Sequence, residues 1–269
     1  MIANVAPRAT TPYDRSVTTY MARRLEVAHP DTPIHQIAAA MDARRISGVP
    51  VVDVNGRLTG VVTRTDLIAA GVLNAGNRST RTAMPLPLRM ASDVMSLHPK
   101  TIPISATIRD AARAMATNAI HRVFVTDDEG LAGVIGAVDI AAAVHDSRDA
   151  VELSTIMSSP IVTVSPRAPL SSAIELLDRL RVGALLVTED GHPLGVFSQT
   201  EALATRDLLR STPLESLFDP ALVCLPATTP LYRAAGQVAR LDVRRVVVCT
   251  DREPVGIVTA LDFARYIAW

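Results

Sequence analysis

Apolar residues fall at i, i+3, i+4 and i+7 four times along the chain, the stripe of an amphipathic helix. The copies read Ile34, Ile37, Ala38, Met41; Ile108, Ala111, Ala112, Met115; Leu170, Ala173, Ile174, Leu177; and Leu231, Ala234, Ala235, Val238. Pro33, Pro169 and Pro230 are expected in the first turn, where a missing N–H costs nothing, and Thr107 takes that place in the second copy. Thr32 and Thr229 stand just before as expected N-caps. Equivalent helix positions are 74, 62 and 61 residues apart (34 to 108, 108 to 170, 170 to 231).

Upstream of each helix lies a short β-prone piece: Val27 and Ala28, Thr101 and Ile102, Thr163 and Val164, Cys224 and Leu225. Six residues earlier comes a large apolar anchor, respectively Met21, Met95, Met157 and Phe218. Downstream, each helix runs into two β-rich segments split by a polar turn, as at 49–53 and 60–63 or 246–249 and 256–259, which predicts a hairpin. The second strand ends in a motif that starts another helix: GVVTRTD at 60–66, GVIGAVD at 133–139, GVFSQTE at 195–201 and GIVTALD at 256–262. The predicted fold is therefore α/β, with four βαββα repeats. A unit with a half-apolar sheet and two amphipathic helices cannot bury its faces alone, so the copies are expected to pack in pairs. The expected modules are 15–148 (repeats about 15–72 and 90–148) and 149–269 (repeats about 149–208 and 212–269). The long first interval places its excess at 73–89, where Asn, Gly, Ser, Thr, Arg and Pro replace the periodic pattern, and an exposed, mobile loop is expected there.

The repeated unit and its G-h-h-[ST]-x-x-[DE] ending (h apolar) resemble cystathionine-β-synthase (CBS) domains over nearly the whole chain. Four such repeats resemble the architecture of the gamma subunit of AMP-activated protein kinase. The resemblance implies two Bateman modules, each with pseudo-twofold clefts for adenine nucleotides or related adenosyl ligands. It also implies roles: the motif hydroxyl near phosphate and the carboxylate on the ribose diol.

A nucleotide needs hydroxyl or backbone N–H donors for phosphate, a carboxylate that accepts from the ribose hydroxyls, and an apolar slot for the base. Thr63 with Asp66 and Thr259 with Asp262 supply the first two at a strand-to-helix turn. The second repeat has Gly136 where the hydroxyl belongs, leaving Asp139 without that neighbour, and the third has Ser198 but the longer Glu201. The same spacing is also a capping box, which satisfies free helix N–H groups with no ligand present. A second column, at the start of the first hairpin strand, reads Ser47-Gly48, His121-Arg122, Gly183-Ala184 and Arg244-Arg245. Ile120-His121-Arg122-Val123 resembles the I-H-R-[LI]-P-V segment that brings basic side chains to phosphate in the kinase gamma subunit, with Phe124 in place of the proline. Arginine suits phosphate by its planar donor fork, although such pairs also form solvated strand rims. The fourth repeat combines Arg244, Arg245, Thr259 and Asp262.

Composition narrows the partners. With 27 basic and 27 acidic side chains there is no uniformly positive surface for nucleic acid or an anionic membrane, and 3% aromatic residues leave few rings for stacking bases. No apolar run reaches the roughly 18 residues that span a bilayer, and Pro7, Arg8, Pro12, Asp14 and Arg15 interrupt any signal peptide, so a cytoplasmic protein is expected. His29, His35, His98, His145 and His192 lack metal-site spacing, and Cys224 and Cys249, in Val/Leu-rich segments, are expected as buried thiols rather than a disulfide or zinc site. Nothing assembles a nucleophile with a base. The expected function is non-enzymatic ligand sensing, with no required cofactor. AMP, ADP, ATP and S-adenosylmethionine are candidate ligands, and the output is expected in a homodimer or a regulated effector protein. The alternative is a scaffold for dimerisation whose clefts are empty or vestigial.

Overall fold

The structure is a computed structural model that describes residues 11–77, 81–241, 243, 245–251 and 253–269. Repeat 1 contains α1 (Ile34–Ala43), β1 (Gly48–Val52), β2 (Leu58–Thr63) and α2 (Arg64–Asn77). After a short β3 (Ser96–Leu97), repeat 2 contains β4 (Thr101–Pro103), α3 (Ile108–Asn118), β5 (Arg122–Asp127), β6 (Gly130–Gly136) and α4 (Ala137–Ser147). Repeat 3 follows with β7 (Thr163–Val164), α5 (Leu170–Leu180), β8 (Ala184–Glu189), β9 (His192–Ser198) and α6 (Gln199–Ala204). Repeat 4 has β10 (Cys224–Pro226), α7 (Leu231–Leu241), β11 (Arg245–Thr250), β12 (Glu253–Thr259) and α8 (Ala260–Ala268).

In repeats 2, 3 and 4 the upstream piece pairs in parallel with the first hairpin strand, and the hairpin is antiparallel. In repeat 1 the equivalent Ala28 makes only a single parallel bridge to Val51. Every hairpin slips register near its turn, at Val51/Val52, Val125/Thr126, Val187/Thr188 and Val248/Cys249. The slip is a bulge that increases local twist.

The four helical stripes are buried as their spacing requires. The helix starts differ from expectation. Pro33 and Pro169 are N-caps without a side-chain hydrogen bond, and the Thr32 hydroxyl accepts from the His29 N–H instead of capping α1. Thr107 does cap α3, its hydroxyl oxygen accepting from the Asp110 N–H at 3.2 Å.

Each repeat meets two others in two ways. Its upstream segment crosses to one partner, where Ser16 bridges Thr107, Met90 bridges Pro33, Glu152 bridges Pro230 and Pro213 bridges Pro169. The anchors cross as well. A Cβ on Gly133 would lie 3.1 Å from the Met21 sulfur, on Gly60 2.4 Å from Met95, on Gly256 2.6 Å from Met157 and on Gly195 2.3 Å from the Phe218 ring. The first glycine of each motif is thus the floor under the partner's anchor, and repeats 1 with 2 and 3 with 4 are linked reciprocally. The helices make the second set of contacts: repeats 2 and 4 share one buried core and repeats 1 and 3 share another.

The expected loop at 73–89 is corrected. Residues 73–77 continue α2, and residues 81–84 dock as a strap whose Ala83 and Met84 N–H groups donate to Leu208 and Arg206 carbonyls at 2.8 and 2.9 Å. Met84 is fully buried against Gly71, while Leu88 is 97% exposed. Composition marked this segment as irregular, but an irregular backbone is still buried when another segment, here the turn after α6, satisfies its N–H groups. Residues 78–80 lie outside the described residues. The thiols also differ from expectation: Cys224 is exposed and Cys249 half-buried, because β10 is the edge strand of its sheet.

The connection between repeats 2 and 3 is held by tyrosine hydroxyls, with Tyr20 donating to Asp146 at 2.6 Å, Tyr13 to Ser147 at 2.7 Å, and Tyr266 to Asp149. Burial, reinforced by the bond to Asp149, pushes the Tyr266 phenol well above its ordinary range.

Candidate functional site

The hairpin register sets the two candidate columns side by side. Gly48 lies opposite Thr63, Arg122 opposite Gly136, Ala184 opposite Ser198 and Arg245 opposite Thr259. Residues opposite one another across an antiparallel pair share a face, so each strand start stands beside the motif that begins the second helix.

The arginines reach across to the partner repeat. Arg122 Nη2 donates to Ser47 Oγ, and its other terminal nitrogen would lie 2.4 Å from a Cβ on Gly48. Arg245 Nη2 donates to the Gly183 carbonyl at 3.4 Å. Basic residues of repeats 2 and 4 thus lie over the small residues of repeats 1 and 3, and Gly48 leaves the room that the Arg122 guanidinium fills. His121 is exposed at the same strand start. Arg244 lies outside the described residues.

All four motif carboxylates cap their own helix. The Thr63 N–H and hydroxyl donate to Asp66 Oδ2 at 2.7 and 2.6 Å, and the Thr259 N–H and hydroxyl donate to Asp262 Oδ2 at 2.7 Å each. In repeat 2 only the Gly136 N–H, at 2.7 Å, serves Asp139 from the motif. Ser198 closes the box on Glu201 at 2.8 and 2.5 Å, so the extra methylene is absorbed without loss of the cap. The remaining oxygens differ. Asp66 Oδ1 accepts from Ser96 at 3.2 Å, whereas Asp262 Oδ1 holds Arg265 at 2.8 Å and the residue is only 4% exposed. Asp66, Asp139 and Glu201 are half-buried.

Ser96 belongs to the upstream segment of repeat 2 but sits at the motif of repeat 1, and the other upstream segments bridge the partner's motif strand likewise: Ala22 to Val134, Ser158 to Ile257 and Asp219 to Val196. The sequence reading missed that each motif is flanked by the partner repeat's upstream segment. The signal was the constant six-residue interval between the anchor and the β piece.

The model of the CBS domain matches residues 17–72, 91–146, 153–206 and 214–268. The chain belongs to the CBS-domain family. Curated relatives include an uncharacterized 33.4 kDa protein in the ribosomal RNA operon of Thermofilum pendens, 25% identical over 183 residues (63% of this chain, 57% of the relative). Inosine-5'-monophosphate dehydrogenase of Staphylococcus aureus is 22% identical over 230 residues (85% and 43%). The chain therefore spans well under two thirds of these relatives. Among solved structures, protein MJ1225 of Methanocaldococcus jannaschii, a suggested archaeal homologue of g-AMPK, superposes with a TM-score of 0.83 at 17% identity, covering 94% of this chain and all of that one. An uncharacterized conserved protein from Pyrococcus horikoshii gives 0.65 at 16% identity, again covering 94% of this chain. Both share the four-repeat CBS fold over their full length.

Among the described residues no three His, Cys, Asp or Glu side chains gather around a point where a metal ion would bind, and no helix is long and apolar enough to cross a membrane.

Proposed function

We propose that this CBS-domain protein is a non-enzymatic regulator that binds an adenine nucleotide or another adenosyl ligand, such as AMP, ADP, ATP or S-adenosylmethionine, in clefts between paired repeats. The paired units are modules 15–148 and 149–269, joined internally by the exchanged upstream segments. The observation that carries this reading is the placement of Arg122 over Ser47 and Gly48, across from its own Gly136 and beside the strand end at Thr63, which leads into the α2 turn that holds Asp66. One guanidinium thereby stands between two helix N-termini, where phosphate is favoured by free N–H groups and the helix dipole. In the first module Thr63, Asp66, His121, Arg122 and Asp139 would contact ligand; in the second Ser198, Glu201, Arg244, Arg245, Thr259 and Asp262 would. Occupancy would act on a second copy or an effector protein by favouring one of two arrangements of the modules. The suggested g-AMPK kinship of the MJ1225 fold supports a regulatory role.

Calorimetric titration with AMP, ATP and adenosine tests it. Arg122→Ala should weaken AMP and ATP by roughly tenfold or more, the worth of a charge-assisted hydrogen bond, and leave adenosine nearly unchanged. Wild-type protein that binds none of the three, and not S-adenosylmethionine either, at millimolar concentration overturns the proposal.

A second reading, a CBS scaffold with unoccupied clefts, is favoured by Asp262, whose two oxygens serve a helix cap and Arg265. On that reading Asp262→Ala costs about 0.5–2 kcal/mol of stability and changes no affinity.

A further inference from the structure

The two cysteines stand together at a place that the cleft function does not use. Cys224 opens β10 and Cys249 lies near the end of β11, and the parallel register aligns Cys224 with Val247 and Pro226 with Cys249. Residues two apart on a strand share a face, so both thiols stand on the same face of the repeat 4 sheet. Val247 and Cys249 pack on that face toward Leu186 and Val196 of repeat 3. Both thiols line an open groove of about 590 Å³, whose wall includes Pro193 from the repeat 3 hairpin and Pro226, Thr228 and Thr250 from repeat 4. The groove lies toward the hairpin turn, at the opposite end of β11 from Arg245. The register offsets the two cysteines by two residues on neighbouring strands, a diagonal pair, so closing a bridge requires the short edge strand β10 to shift, and Cys224 is the exposed member. Burial, and then Cys224 beside it, pushes the Cys249 thiol up to about 11. Cys249 is therefore a slow nucleophile toward solution reagents, and Cys224 meets them first.

We propose that Cys224 and Cys249 form a dithiol site that a low-molecular-weight disulfide, entering through this groove, oxidises to an intramolecular disulfide. The Cys224 thiolate attacks one sulfur of the reagent disulfide, whose S–S bond breaks and releases one small thiol. Cys249 then loses its proton and attacks the Cys224 sulfur, displacing the second small thiol. Two electrons pass from the protein dithiol to the reagent, and the two thiol protons end on the released thiolates. The cysteines are the chain's only two, so no other intramolecular pairing competes.

Oxidised glutathione, applied to the full-length protein, tests the site. Titratable thiols should fall from two to none, the protein should lose about two mass units for the two hydrogens removed, and digestion should yield one cross-linked peptide pair containing positions 224 and 249. Dithiothreitol should restore both thiols. Cys249→Ser should stop at a glutathione adduct on Cys224, and Cys224→Ser should react far more slowly than wild type. Peptide mapping of the wild type decides the question even if a variant fails to fold. Wild-type protein that retains bound glutathione, forms a disulfide-linked dimer or keeps both thiols free overturns the proposal.

Discussion

At the first position of the second helix, repeats 2 and 4 carry Ala137 and Ala260, whereas repeats 1 and 3 carry Arg64 and Gln199. The same position in one unit thus faces two kinds of interior. Around Ala137 and Ala260, α4 lies along α7 and α8, and α3 along α8, with Ala111, Ala141, Ala235 and Ala264 all fully buried. Gly236 completes that face, with His145 packed where its Cβ would be. Small side chains let these helices approach until the interior is close-packed and apolar. In the other half, Arg64 is 3% exposed, donates to Asp42 at 3.0 Å and to the Met41 carbonyl at 3.2 Å, and its Nε has no acceptor among the described residues. Gln199 donates to Thr65 across the same interface at 3.0 Å, α6 has only six residues, and the 81–84 strap with Met84 covers the gap. The Arg64 bonds close within repeat 1, whereas the Gln199–Thr65 bond joins repeat 3 to repeat 1. The alanine-lined interface is close-packed, and its side-chain hydrogen bonds run to helix carbonyls, Arg109 to Ile267 at 2.8 Å and His145 to Tyr232 at 2.9 Å.

The contrast breaks most sharply if an arginine is placed in the alanine half. Ala137→Arg should destabilise the protein by about 3–5 kcal/mol, the cost of a buried charge without a partner, while Gln199→Arg in the other half should cost far less. Urea unfolding of both variants checks this, and equal losses would show that the halves do not differ. Next, the strap should contribute to the polar half as core rather than as loop. Met84→Ala should cost about 2–5 kcal/mol, the range for emptying a buried methionine site, whereas Leu88→Ala on the exposed part should change the melt little.

Helix starts sharpen the comparison at smaller scale, since α3 has a full capping box and α1 and α5 begin behind prolines. Thr107→Ala should cost about 0.5–2 kcal/mol at neutral pH. Hydrogen bonds from the Thr107 N–H and then its hydroxyl hold the Asp110 carboxyl below its ordinary range. A depressed carboxyl stabilises the fold fully above its unfolded pKa of about 3.9 and loses that contribution as pH falls through the lower folded value. Asp110→Asn should therefore be less stable than wild type at pH 7, and the difference should vanish in strongly acidic melts. The smallest effect is expected at Arg64. Arg64→Met should alter stability by less than about 1 kcal/mol, because an apolar residue of similar volume avoids desolvating the guanidinium and Asp42 remains partly in water.

Four helices, four hairpins and the motif at each strand-to-helix turn were legible because their signals are local: an apolar period, a polar turn, and a hydroxyl three residues from a carboxylate. The capping use of Asp66, Glu201 and Asp262 was legible for the same reason. The Ser96 bond to Asp66 was not, since the residue is 30 positions away and reaches Asp66 only after the upstream segment crosses to the other repeat. Arg122 could be read as a basic residue at a strand start. That it lies over Gly48 of another repeat could not.

By itself, then, the sequence determined the unit, its number and the chemistry offered at each motif, since periodicity and turn residues act within about a dozen positions. Tertiary structure alone decided that repeats 1 and 3 share one core and 2 and 4 the other, that the anchors cross onto the partner's first glycine, that Met84 is buried and that Cys224 is exposed. The physical reason is that all four copies present nearly the same apolar stripe. Which stripe meets which depends on the steric fit of whole faces, on alanine against alanine or Gln199 beside Thr65, and on where an edge strand is left uncovered.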